Sequence, residues 1–256
     1  MAAIILERVT VQYPSRARPA LGPLDLTIQE GECLFVTGAN GSGKTTLARL
    51  LAGVVHPSEG TVRLNDGREQ SQWPQGFVGW VQQNPQQQII GTTVAEDVAL
   101  SPLWLCGTAA EAAERLQQAL DEFNLRSWAN YPPHALSGGW QHIAALAAVH
   151  AQAPGLVILD EPEAMLDRQG LAQVKSWIDH MRDNRRTLMI MGHNREWTSL
   201  ADRVLELEGG TIKELSSVCP ADDDGWRRFL EPWWVGKNIP SVNEVIDWLW
   251  HGLSLP

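Results

Sequence analysis

Apolar and polar residues alternate in the first part of the chain, and this period of two predicts β-strands. The alternation covers residues 4–13 and 24–28 and favours an antiparallel β region near the N-terminus. Continuously apolar runs predict buried strands of a parallel sheet, and they occupy residues 33–37, 77–81, 156–159 and 187–191. Apolar residues at helical spacing recur at 47–51, 112–123 and 171–181. The pattern therefore predicts an α/β fold with a mixed, mainly parallel core sheet and an antiparallel β subdomain.

Turn and capping signals divide the remainder of the chain. Thr108-Ala109-Ala110-Glu111 is a capping box, which predicts the start of a helix within a helical insertion at about residues 100–135. Apolar stretches on either side of Glu208-Gly209-Gly210 predict a β-hairpin. Beyond Leu215 the composition changes, and tryptophans cluster. We therefore expect one domain at residues 1–215 and a small helical appendage at 216–256.

A glycine-rich turn follows the apolar run at 33–37 and reads G-x-x-x-x-G-K-[ST], the P-loop pattern. Its candidate ligand-binding residues are Gly38, Asn40, Gly41, Ser42, Gly43, Lys44, Thr45 and Thr46. Glycines let the backbone approach an anion closely, and the positive end of the following helix faces the phosphates. A chance lysine in a glycine-rich turn is the alternative, but the flanking strand and helix favour a nucleoside triphosphate site.

Four other sites in the sequence have residues that could bind a ligand or take part in catalysis. Asp160 and Glu161 follow a buried strand, at the sheet edge where α/β proteins bind ligands, and could hold Mg²⁺ and deprotonate a water molecule. His193 also follows a strand; it could contact a γ-phosphate or be structural. Residues 137–139, Ser-Gly-Gly, form either a second anion site or a plain helix cap. Tyr13 could support an adenine ring, although its pattern alone favours an ordinary strand aromatic.

Composition narrows the classes of partner. The 256-residue chain has a net charge of −10, so it lacks the overall positive field typical of nucleic-acid-binding proteins. Its three cysteines are far apart and fit a reducing compartment rather than a disulfide framework. Residues 127–159 lack Asp, Glu, Lys and Arg, but prolines, glycines and histidines interrupt them. We therefore expect neither a nucleic-acid partner nor a membrane span.

The ordered set of motifs resembles the nucleotide-binding subunits of ATP-binding-cassette (ABC) transporters over residues 4–215. The set comprises the P-loop, Gln83 after a strand, Leu136-Ser137-Gly138-Gly139, Asp160-Glu161-Pro162, Ala164 to Asp167 and His193. A P-loop kinase or GTPase would lack the Leu-Ser-Gly-Gly element. The resemblance implies a P-loop NTPase fold, ATP and Mg²⁺ as cofactors, and ATP hydrolysis that drives a transporter.

The resemblance also implies a role for each candidate residue. Tyr13 would stack on adenine, Lys44, Thr45 and Thr46 would bind phosphates and metal, and Asp160 would hold Mg²⁺. Gln83 would touch the metal and the attacking water, Glu161 would be the catalytic base, and His193 would contact the γ-phosphate. Ser137, Gly138 and Gly139 would close over the nucleotide of the opposite subunit. Asp167 would link the two sites of the dimer.

The segment around Gln83 resembles one group within the family. Gln83-Asn84-Pro85, Gln88, Thr93-Val94 and Asp97-Val98-Ala99 are similar to the energy-coupling-factor (ECF) ATPases, which import vitamins and transition-metal ions. This likeness implies a second ATPase subunit, a transmembrane coupling protein and a separate membrane protein that captures the substrate. It also implies a peripheral location on the cytoplasmic face of the cell membrane.

Four residues depart from the family pattern. Trp140 stands where glutamine is usual, Ile143 where a basic residue is frequent, Glu163 where Ser or Thr is common, and Arg168 where Pro is common. An altered Leu-Ser-Gly-Gly-Trp element favours a heterodimer over a homodimer as a hypothesis. A soluble ABC ATPase without a transporter and a weakly active regulatory subunit are the alternative functions.

Overall fold

A computed structural model describes residues 3–15 and 17–215 of the chain. The predicted helical appendage at 216–256 lies outside the described residues. The domain boundary after Leu215 therefore stays a prediction.

The central element is a six-stranded sheet in the order β5-β6-β7-β3-β8-β9. Its strands are β3 (Cys33–Thr37), β5 (Val78–Val81), β6 (Leu156–Asp160), β7 (Thr187–Met191), β8 (Arg203–Glu208) and β9 (Thr211–Leu215). All neighbouring pairs are parallel except β8 and β9, which form the expected antiparallel hairpin. In register, Val36 pairs with Met191, and Met191 with Asp160. The carboxyl ends of β3, β6 and β7 therefore meet at one edge, where ligands bind in such sheets.

A second, antiparallel sheet has the order β2-β1-β4. Its strands are β1 (Ile4–Val11), β2 (Leu21–Ile28) and β4 (Glu59–Leu64). Their alternating residues, such as Ile4 and Leu6, are buried in one core with β3, β6 and the first helix. Both the antiparallel region and the mixed core sheet predicted from the sequence are thus confirmed.

Five α-helices complete the described part: α1 (Lys44–Leu51), α2 (Val94–Leu105), α3 (Ala109–Glu122), α4 (Gly138–Gln152) and α5 (Arg168–Asp183). Thr108 caps α3 as expected, since its side chain accepts a hydrogen bond from the amide of Glu111. Helices α2, α3 and α4 pack on one another, and α3 lies within the predicted helical insertion at about residues 100–135. In residues 3–15 and 17–215, no helix has the length and apolar character needed to cross a membrane.

The helical insertion begins earlier than the sequence analysis expected, because α2 starts at Val94. Its N-terminus is a capping box in which Thr93 and Glu96 exchange side-chain-to-backbone hydrogen bonds. Its buried residues are Val94, Asp97, Val98 and Pro102, so a proline and an aspartate interrupt its apolar face. The weak apolar periodicity hid this helix, although the Thr-x-x-Glu spacing could have located its start.

Candidate active site

The P-loop connects β3 to α1 in a conformation that only glycine fits well. Gly38 has φ 149° and Gly43 has φ 116°, both in the region that L-residues rarely adopt. A Cβ atom on Gly38 would lie 2.3 Å from the carbonyl oxygen of Leu207. A Cβ on Gly43 would lie 2.8 Å from the Leu21 side chain. The glycines therefore let the loop run tightly between the two sheets and leave its outer side open for an anion.

A cavity of about 500 Å³ lies above this loop, at the carboxyl edge of the core sheet. It is lined by Tyr13, Asn40, Gly41, Gly43, Lys44, Thr45, Thr46, Arg49, Gln83, Asp160, Glu161 and His193. We call it the nucleotide cavity. The fold thus brings together residues from five separate segments, and most of the predicted site residues are among them. Gly38 and Ser42 belong to the same loop, and Ser42 is 5% exposed.

Lys44 is held beneath the loop rather than in solvent. Its ammonium donates to the carbonyl oxygens of Gly38, at 2.6 Å, and Ala39, at 3.4 Å. Burial lowers the pKa of Lys44, while the charges of Glu161 and Asp160 act in the opposite direction. A cation in a loop of backbone amides is the expected arrangement for binding phosphate groups.

Gln83, Glu161 and His193 form a connected group on the opposite wall. The Gln83 amide donates to Glu161 Oε2 at 2.5 Å. His193 Nε2 lies 3.7 Å from Glu161 Oε1, 3.1 Å from Asn40 Oδ1 and 3.4 Å from Lys44 Nζ. Glu161 has a positive φ of 50°, so the chain turns sharply after β6 and directs this carboxylate into the cavity mouth.

Asp160 ends β6 and is buried, with 7% of its surface exposed. Burial raises its pKa to about 6, and the neighbouring charge of Glu161 adds to the effect. Lys44 and Arg49 oppose this rise. Arg49, which also lines the nucleotide cavity, was not among the predicted site residues; it lies one helical turn after Thr45 in α1.

Two buried polar atoms in or beside the cavity lack a protein partner. The hydroxyl of Tyr13 and the Oγ of Ser42 make no hydrogen bond within the described residues. Buried polar groups are nearly always hydrogen-bonded, so such atoms need an explanation. A phosphorylated ligand with a base near Tyr13 would fit this donor set.

The predicted residues of the Leu-Ser-Gly-Gly element lie elsewhere. Ser137, Gly138, Gly139 and Asp167 line a second cavity of about 420 Å³, together with Trp140, Ile143, Met165, Leu166, Gln169, Gly170 and Gln173. We call it the signature cavity. Ser137 caps α4, and Asp167 caps α5 through the amide of Gly170. No residue of the signature cavity lines the nucleotide cavity, so the two sets of predicted site residues lie apart within the described part of the chain.

Similar proteins of known family indicate the family to which this chain belongs. The sequence profile described as ABC transporter matches residues 21–164. The chain belongs to the ABC transporter family. The energy-coupling factor transporter ATP-binding protein EcfA of Methanosarcina acetivorans is 34% identical over 259 residues, covering 99% of this chain and 92% of that protein. EcfA1 of Geobacillus kaustophilus is 34% identical over 214 residues, covering 81% of this chain and 76% of that protein.

A solved structure supports the same assignment for the fold of this ABC ATPase. Clostridium perfringens cbiO1, part of the ABC transporter complex cbiONQ, superposes with a TM-score of 0.72 at 25% identity. The match covers 82% of this chain and 86% of that chain. The predictions of an ECF-type ABC ATP-binding subunit, of the cassette fold, of ATP as ligand and of ATPase activity are therefore confirmed.

Proposed function

We propose that this ATPase is the motor subunit of an ECF-type importer for a micronutrient, a vitamin or a transition-metal ion. The observation that carries the proposal is the convergence of Lys44, Gln83, Glu161 and His193 on one cavity. Four segments far apart in the chain supply these groups. The names of the EcfA relatives support a role in an energy-coupling factor transporter, and the import direction rests on the resemblance to ECF ATPases.

The P-loop amides and Lys44 hold the phosphates in this proposal, and Tyr13 supports the base. Among the residues that the structure describes, no three His, Cys, Asp or Glu side chains could hold a metal ion by themselves. Mg²⁺ is usually bound by one or two protein oxygens together with substrate phosphates. Thr45, Gln83 and Asp160 are the groups that would hold it here, where it would neutralise phosphate charge.

Hydrolysis requires a base beside the γ-phosphate. Glu161 accepts a proton from the attacking water at a carboxylate oxygen, and the Gln83 amide orients that carboxylate through the 2.5 Å bond. His193 stands between Lys44 and Glu161 and holds the γ-phosphate in line. Asn40 Oδ1 lies 3.1 Å from the Nε2 atom of His193, which places this histidine beside the P-loop.

A second subunit completes the site. The separation of the two cavities supports a dimer in which Ser137, Gly138 and Gly139 of one subunit close over the nucleotide of the other. Asp167 lies in the signature cavity and links the two sites across that interface. Trp140, in the position usual for glutamine, supports a second ATPase of different sequence as the partner.

Transport requires membrane proteins as well. The cbiO1 structure belongs to a protein described as part of the complex cbiONQ, which supports a multi-subunit assembly for this chain too. In our proposal the chain lies peripherally on the cytoplasmic face of the membrane. It binds a transmembrane coupling protein, while a separate membrane protein binds the substrate.

Glu161→Gln tests the proposed chemistry. The amide cannot accept the proton, so ATPase activity should fall at least about a hundredfold while ATP binding persists. Unchanged activity would remove Glu161 from the mechanism and favour a different base. Glu111→Gln, a surface glutamate paired with Arg115, is the matched control and should keep full activity.

A tagged chain purified from membranes tests the assembly. Co-purification of a second ATPase and of integral membrane proteins is the expected result. A fully soluble pool, with no membrane protein attached in mild detergent, would support the alternative of a soluble ABC ATPase. Homodimers that hydrolyse ATP cooperatively without another ATPase would refute the heterodimer.

A further inference from the structure

Glu163 departs from the family pattern, and the function proposed above does not use it. It lies in the turn that joins the Glu161 strand end to α5. In this turn the amide of Ala164 donates to the carbonyl of Glu161, and the amide of Leu166 donates to that of Glu163. Met165 has a positive φ of 67°, so the turn is closely constrained. A long acidic side chain in such a turn needs a partner.

The partner of Glu163 is a buried tryptophan beyond the next strand. Trp197 Nε1 donates to Glu163 Oε2 at 2.7 Å. Trp197 is fully buried and lies in the short 3₁₀ helix Arg195–Leu200, which follows His193. A hydrogen bond from a buried donor to a carboxylate is stronger than one between neutral groups.

The same carboxylate also lies against Gly192. A Cβ atom on Gly192 would stand 3.4 Å from Glu163 Oε1. Glu163 therefore lies near the residue directly before His193 and accepts a hydrogen bond from the residue four positions after it. The side chain of His193 itself is 47% exposed, and its polar neighbours in the nucleotide cavity include Asn40, Lys44 and Glu161.

We propose that Glu163 is a positioning residue that sets where His193 stands relative to Glu161. It ties the turn after β7 to the turn after β6 through Trp197, in addition to the backbone bond from Glu161 N to Met191 O. Serine or threonine, common at this position in the family, is two bonds shorter and would not reach Trp197 in the same way. An error of about 1 Å in such a group can cost up to about a hundredfold in rate.

Three variants test this role in the full chain with its ATPase partner. Glu163→Ala removes the acceptor, Trp197→Phe removes the donor, and Glu163→Gln keeps an oxygen that can accept from the indole. We expect Glu163→Ala and Trp197→Phe each to lower kcat about tenfold, with KM for ATP changed less than about twofold. Glu163→Gln should restore kcat to within about twofold of wild type. The kcat of the double variant should be no lower than that of the more impaired single variant, because both substitutions remove the same hydrogen bond.

Trp177→Phe is the matched control. Trp177 is 1% exposed, and its indole donates to His150 Nδ1 at 3.0 Å, away from the nucleotide cavity. Its replacement should lower the unfolding temperature and leave kcat unchanged. If Trp177→Phe lowers kcat as much as Trp197→Phe, or if Glu163→Gln is as impaired as Glu163→Ala, the positioning role is refuted. Should Trp197→Phe fail to fold, the comparison of Glu163→Ala with Glu163→Gln decides alone.

This inference rests on the proposed roles of Glu161 and His193, and the two can fail separately. Loss of hydrolysis in Glu161→Gln together with full activity in Glu163→Ala would refute only the positioning role. Full activity in Glu161→Gln would refute the proposed chemistry itself.

Discussion

Replacing Asp160 by asparagine should stabilise the nucleotide-free protein. The carboxyl is buried at the end of β6, and burial raises its pKa from 3.8 to about 6. A raised acid pKa means that the folded state binds a proton more tightly than the unfolded state, so ionisation destabilises the fold. At roughly 1.4 kcal/mol per pKa unit, the difference between 3.8 and about 6 corresponds to about 3 kcal/mol. Asparagine has nearly the same shape and carries no charge to desolvate.

The sign of the effect gives it a characteristic pH dependence. The advantage of Asp160→Asn over wild type should be small near pH 4, grow between pH 4 and 6, and stay constant above pH 6. Urea unfolding followed by tryptophan fluorescence, in EDTA without nucleotide, measures it as a midpoint shift of about 1 M at pH 7.5. The same variant should lose Mg²⁺-dependent ATPase activity, because it lacks the acidic ligand.

Asp183→Asn is the matched control, since Asp183 is exposed at the end of α5, and it should leave the midpoint unchanged at each pH. A stabilisation of Asp160→Asn below about 1 kcal/mol at pH 7.5 would show that water or Lys44 already compensates the Asp160 charge. A stabilisation that does not shrink toward pH 4 would show that it does not arise from ionisation of Asp160. The burial argument would then be refuted.

Three further predictions concern other positions. Gly43→Ala should weaken binding of a fluorescent ATP analogue at least about tenfold, because its Cβ would meet Leu21, whereas Gly107→Ala, with open space around it, should bind normally. Wild type should lose about 3 kcal/mol of unfolding free energy as the pH falls from 6.5 to 4, because burial lowers the pKa of His142 to about 4, and His142→Met should remove this loss. Equal urea midpoints for the variant and the wild type at pH 5 would contradict this prediction. Trp140→Gln should increase ATP-dependent self-association in the Glu161→Gln background, measured by size-exclusion chromatography, and no gain would show that Trp140 does not impair the signature cavity.

Local sequence predicted most of the elements but not all of their limits. The buried strands, the P-loop and the α3 cap were all predictable, because each depends on residues within one turn or one strand. Helix α2 was missed, since its apolar periodicity is weak and Pro102 interrupts it. Its capping box at Thr93 was the one signal present. Propensity and periodicity give a weak signal where helices pack on several sides.

The residues of the candidate site were likewise predictable only in part. Lys44, Asp160, Glu161 and His193 were predictable because each follows directly from a strand end or a glycine-rich turn. Arg49 was missed because an arginine in a helix has no distinguishing local pattern. Its place in the nucleotide cavity depends on the turn of α1 that also presents Thr45.

The sequence by itself determined the order of the motifs, the strand-turn-helix of the P-loop and the presence of a second glycine-containing turn that caps a helix at Ser137. These features follow from backbone dihedrals and hydrogen bonds within a few residues of one another. Only the tertiary structure decided that Gln83, Glu161 and His193 meet in one cavity and that Ser137 lies in another. The order β5-β6-β7-β3 brings together strand ends separated by many residues, and no local pattern records that order. The hydrogen bond between Glu163 and Trp197 depends on the same packing, because the two residues lie on either side of β7 in the sequence and only the fold brings them together.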